Sequence, residues 1–189
     1  MNRRDALSRV ALIMGGTVVG AEFFLSGCKS GGAFAEGLPF SQQDLAFLDE
    51  VAETIIPATT TPGAKAAKVG EFMQVMVTDC YDEANQKIFI AGMKTLEEAA
   101  QKQSGKDFLS SSAEQKKALL TTLDREAKEH EKNKKKEDPA HYFTLMKQLT
   151  LLGYFTSEIG ATRALRYVAV PGKYEGCIPY KKGDKAWAT

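Results

Sequence analysis

The sequence predicts an all-α protein: a single helical domain of about five helices, followed by an irregular aromatic C-terminal segment. The expectation rests on three features. Apolar residues recur at three- and four-residue spacing along most of residues 40–160. Ser and Asp stand where helix caps are needed, and Pro or Gly punctuates the segments between. No clear strand pattern occurs.

The first helix starts at Ser41, which can cap it, with Asp44 at the third helical position as its partner. Leu45, Leu48, Val51, Ala52 and Ile55 form one stripe, and Pro57 ends the run. The stretch ATTTPGA is a loop. A second helix is expected from about Lys65 to Asp79, with Val69, Phe72, Met73 and Met76 inward. Asp82 caps a third, lined by Phe89, Gly92, Met93, Leu96 and Ala100 and broken at SGK. Ser111 or Ser112 starts a fourth, with Glu114 or Gln115 as capping partner and Leu119, Leu120, Leu123 and Ala127 inside.

The run KEHEKNKKKED, residues 128–138, interleaves acids with bases and reads as a solvated helix end and loop. Asp138-Pro139 is expected to open the last long helix. Its sequence, HYFTLMKQLTLLGYFTSEIG, is apolar on almost every side. Such a helix is either enclosed by its own domain or meets a partner. After Ala161, Tyr167, Tyr174, Tyr180 and Trp187 are aromatic anchors in an extended segment. They serve either a protein contact or packing on the chain's own body.

The N-terminal residues carry a different message. Arg3, Arg4 and Arg9 precede an apolar run from Val10 to Gly20. At about eleven residues it is too short to span a bilayer, which takes roughly twenty. The order of parts is that of an export signal over residues 1–27. Arg3-Arg4 is similar to a twin-arginine signal, the route for proteins already folded. Leu25-Ser26-Gly27-Cys28 resembles a lipobox, at which a bacterial lipoprotein is cleaved and acylated on its cysteine. Residues 28–39 then read as a flexible tether, and 40–189 as the helical domain. The expected location is periplasmic, held at the membrane by the lipid on Cys28.

The chain of 189 residues has 25 basic and 24 acidic side chains, and loss of the first 27 residues leaves 22 of each. Nothing in that balance favours nucleic acid. Cys80 and Cys177 remain besides Cys28, and an oxidising compartment favours their pairing as a disulfide. No G-x-G-x-x-G, C-x-x-C-H or G-x-S-x-G motif occurs. No cofactor, metal ligand set or catalytic residue is therefore assigned to this chain. His141 stands out only because histidines are few, and reads as a first-turn or surface residue.

Two stretches together resemble the gluconate 2-dehydrogenase subunit 3 family. They are LAFLDEVAETIIPATTTPGAKAAKVGEFMQVMVTDCY and LTLLGYFTSEIGATRALRYVAVPGKYEGCIP. IIPATTTPGA and TLLGYFTSEIGATRALRY are the most specific parts. The resemblance implies a small, non-catalytic accessory subunit of a membrane-associated sugar or polyol dehydrogenase. Its large subunit is a flavoprotein of the glucose-methanol-choline type carrying FAD, and a cytochrome c often receives the electrons. A signal for folded export then makes sense, because a partner that folds around FAD must cross the membrane folded. Phe143, Leu152, Tyr154, Phe155, Tyr167 and Trp187 are the expected partner contacts. The alternative is a free-standing helical lipoprotein that binds a small molecule or another envelope protein.

Overall fold

A computed structural model describes residues 40–170, 172–173 and 176–188. The expected signal (Arg3, Arg4), the acylated Cys28, the tether and Tyr174 lie outside the described residues. Residues from Phe40 onward form one compact unit. It is all-α: helices α1 (Gln42–Ile55), α2 (Val69–Val75), α3 (Glu83–Ser104), α4 (Ala113–Asn133) and α5 (Tyr142–Thr156), with π-helical turns at Met76–Cys80 and Gly160–Ala164. No described helix is long and apolar enough to cross a membrane.

Local chemistry explains most boundaries. Ser41 and Asp44 satisfy each other reciprocally at the start of α1. The Asp82 carboxylate accepts from the Asn85 amide to begin α3. Ser112 and Gln115 form the capping box of α4. Gly105 closes α3 at φ 67, a left-handed position that glycine adopts without a Cβ penalty. Phe89, Gly92, Met93, Leu96 and Ala100 of α3 are all buried, as are Leu119, Leu120, Leu123 and Ala127 of α4.

Two boundaries differ from expectation. The second helix is not one regular element from Lys65. Residues 64–68 form turns, α2 starts only at Val69, and its last turn widens into the π turn. The wider turn keeps Met73 and Val77 both inward, whereas Val75 faces out. The last helix does not open at Asp138-Pro139. The Asp138 carboxylate instead accepts from the Lys135 amide, 2.7 Å away, and closes a turn. α5 begins later, and His141 caps it: Nδ1 accepts from the Phe143 amide at 3.2 Å.

α5 is the hub, packed against each of α1, α2, α3 and α4. Phe143, Leu145, Met146, Leu149, Thr150 and Tyr154 are its buried side chains. Thr150 satisfies its hydroxyl within the helix by donating to the Met146 carbonyl. α2 packs against α5 where α5 has glycine. A Cβ on Gly153 would stand 2.5 Å from the Phe72 ring. One partly buried ion pair ties the other side: Lys116 Nζ lies 2.8 Å from the Glu50 carboxylate and donates to the Leu109 carbonyl at 3.1 Å. That lysine holds the Glu50 carboxyl below its ordinary range, chiefly by the hydrogen bond it donates.

Candidate functional site

The feature that singles out this molecule is a surface. α5 encloses one side in the core, yet Leu151, Leu152 and Phe155 stay exposed, Leu152 by 46% and Phe155 by 40%. Residues 151 and 155, and 152 and 155, are helix-surface neighbours, so the three make one stripe. Gln148 and Thr156 extend it, also exposed and uncharged. The stripe is neutral and apolar on a helix whose other side is fully packed. The helix is thus the centre of the core on one side and open surface on the other.

Of the six expected partner contacts, two are corrected. Phe143 and Tyr154 are each only 2% exposed and belong to the interior. Tyr154 also aims its hydroxyl inward and donates to the Pro62 carbonyl at 2.7 Å. Leu152 and Phe155 share the stripe, and the Phe155 ring meets Tyr154 edge-on at 5.2 Å between centroids. Tyr167 and Trp187 are exposed but lie in the C-terminal segment, apart from α5 in sequence.

The Tyr154 hydroxyl leads to the other well-built feature, the loop ATTTPGA. Glu53, on the last turn of α1, spreads its carboxylate across it. One oxygen accepts from the Ala58 amide and the other from the Lys65 amide, both at 2.8 Å. Gly63 is needed there, since a Cβ would sit 2.2 Å from that carboxylate. Asp49, one turn earlier, accepts from the Gly70 amide at 2.9 Å and seats the start of α2. Acids four apart on the polar flank of α1 were the only sequence signal for this clamp.

Cys80 and Cys177 are exposed free thiols, so the expected disulfide is not formed here. Cys80 ends the first π turn. The segment holding Cys177 is fastened through residues beyond it. The Arg166 amide donates to the Ala186 carbonyl at 2.8 Å, and the Ala188 amide to the Arg166 carbonyl at 3.0 Å. The Arg166 guanidinium also lies 4.1 Å from the centroid of the Trp187 ring.

His141 works as a cap. Its ring sits 5.7 Å from that of His130, and burial first, then the neighbouring His130, push its basicity down, opposed by Glu126. Tyr142 beside it is pushed up to about 12, mainly by burial. Among the described residues no three His, Cys, Asp or Glu side chains converge on a metal position. A cleft of 610 Å³ opens between α1 and α3, floored by Phe47, Met93 and Leu109. Four acids, Asp44, Glu97, Glu98 and Asp107, and one base, Lys94, also line it. Three of these acids already serve the fold: Asp44 caps α1, Glu97 accepts from the Phe108 amide, and Asp107 accepts from Gln101.

Together these define a helical body that offers a surface, the class of chain that works as one subunit of a larger assembly. The chain belongs to the gluconate 2-dehydrogenase subunit 3 family, whose model matches residues 42–172. The family name makes it a subunit of a multi-subunit dehydrogenase complex. No curated protein and no solved structure matches it.

Proposed function

We propose that this chain is the non-catalytic small subunit of a periplasmic, FAD-dependent sugar or polyol dehydrogenase of the glucose-methanol-choline type. It escorts the flavoprotein through folded export, stabilises it, and holds it at the membrane through a lipid on Cys28. In complexes of that kind a cytochrome c often receives the electrons. The observation that supports the reading is the uncovered stripe of Leu151, Leu152 and Phe155 on the helix that also centres the core. An uncharged apolar face of this kind fits the desolvated centre of a subunit contact.

FAD fits the partner better than this chain. Flavin dinucleotides sit on a glycine-rich turn between strand and helix, and the described residues are helices, turns and loops. In this reading the chemistry FAD supplies, hydride removal from the sugar, belongs to the large subunit, and this chain's own residues bind and position that subunit.

The test is purification of the tagged chain from its host in mild detergent, with its visible spectrum recorded. A flavin spectrum from a co-eluting larger chain is expected, and Leu152→Glu with Phe155→Glu should remove both. A colourless chain eluting alone would overturn the reading and favour the free-standing lipoprotein. Stoichiometric flavin on the isolated chain would overturn it as well.

A further inference from the structure

The charge of the chain is divided along its length. Residues 40–161 carry fifteen basic and nineteen acidic side chains, a formal −4. Residues 162–189 carry six basic and two acidic ones, a formal +4. Four of those six are lysines. The same segment exposes Tyr167, Val170, Ile178, Tyr180 and Trp187. It is displayed with its ends tied: the backbone pairing of Arg166 with Ala186 and Ala188 and the Arg166–Trp187 stack close it. Lys185 adds a further tie by donating to the Arg163 carbonyl. Asp184 is occupied in accepting from the Lys181 amide at 2.8 Å, closing the 181–184 turn.

We propose that the described part of the C-terminal segment, carrying Tyr167, Ile178, Tyr180, Lys181, Lys182 and Trp187, docks on an anionic phospholipid bilayer. Tyr and Trp settle at the headgroup level, where an apolar ring and a polar edge are both satisfied. Lysines beside them gain from the negative surface potential of an anionic leaflet. A protein partner is the weaker match, because lysine is depleted at the core of protein contacts. The α5 stripe, which exposes no charge, has the opposite chemistry. The two surfaces thus divide the work, one facing a subunit and one facing lipid. The proposal does not depend on which protein covers α5. It implies that the molecule is oriented on the membrane, with this segment against the headgroups, as well as tethered to it.

Trp187 is the only tryptophan in the chain, so its emission reports on this segment alone even in the full-length protein. Full-length chain would be mixed with vesicles of phosphatidylcholine, with or without phosphatidylglycerol, and with brominated acyl chains as quencher. With anionic vesicles the emission should shift to the blue and be quenched, and both effects should fade as salt screens the charge. Lys181→Glu with Lys182→Glu should raise the lipid needed for half the shift by about 25-fold or more, at roughly five-fold per lysine. Both side chains are exposed, so the helical circular dichroism should not change. Three results would overturn the proposal. The emission could stay unmoved on anionic vesicles that sediment with the chain. The shift could be equal on neutral vesicles. It could appear only when the co-purifying dehydrogenase subunit is added, which would give the segment to a protein partner.

Discussion

Replacing Glu53 with Ala isolates the clamp over the ATTTPGA loop. Both carboxylate oxygens are used, each by one backbone amide at 2.8 Å. A hydrogen bond to a charged group contributes about 1.5–3 kcal/mol. Ala58 and Lys65 are exposed, so water can reach the amides once released and the lower end applies. The sum is a loss of about 3 kcal/mol. Glu53→Gln keeps one acceptor and turns an amide donor toward the other N–H, so it should lose about half as much. Urea unfolding followed by circular dichroism measures the loss, with the slope against urea unchanged. Hydrogen exchange should show the Ala58 and Lys65 amides unprotected in the variant. Tyr154→Phe, which frees the Pro62 carbonyl, should cost about 0.5–1.5 kcal/mol. Combined with Glu53→Ala it should cost less than the sum, because both contacts restrain one loop. A Glu53→Ala loss below about 0.5 kcal/mol, with the two amides still protected, would refute the reasoning.

Further outcomes follow from other sites. Burial and the neighbouring His130 make His141 harder to protonate in the fold, so the unfolded chain takes up its proton first as pH drops below the ordinary 6.5. Stability should therefore be level above that pH and decline below it, and His141→Asn, which still caps, should flatten the decline in a melting series. Tyr142 resists ionisation up to about 12 against an ordinary 10.0, so stability should fall again across that alkaline window. The depressed Glu50 carboxyl contributes stability that is present above 4.5 and lost as pH falls below it, and Lys116→Ala should shrink that acid loss while lowering stability outright. Gly153→Ala drives a methyl into the Phe72 ring and should cost about 1–3 kcal/mol despite the better helix propensity of alanine. A melting temperature at or above that of the parent would show that α2 yields freely there.

Much of the fold was legible because its signals are local. Ser41, Asp82 and Ser112 each cap through a residue three positions on, and the stripes of α3 and α4 follow from spacing alone. α5 was harder. Spacing assigns an inner face only when the other face is polar, and here Phe143 and Phe155 look alike although one is core and the other surface. The Asp138-Pro139 signal was genuine turn chemistry spent on residue 135 instead of on a helix. The clamp by Glu53 spans up to twelve residues to an amide, and amides leave no mark in a sequence. The family segments gain a physical reading from it. Glu53, Gly63 and Tyr154, which hold the loop on the central helix, all fall inside the matched residues.

Because α5 serves the core on one side and presents the stripe on the other, the same fifteen residues build both the interior and the exposed apolar face. Any partner that covers the stripe binds only the folded form, so it raises stability in proportion to its concentration. The reverse holds for a copy that has found no partner. It unfolds more often, and its uncovered leucines and phenylalanine remain open to chaperones and proteases. Surplus copies would be cleared first, and the abundance of this chain would follow that of its partner without any dedicated regulator.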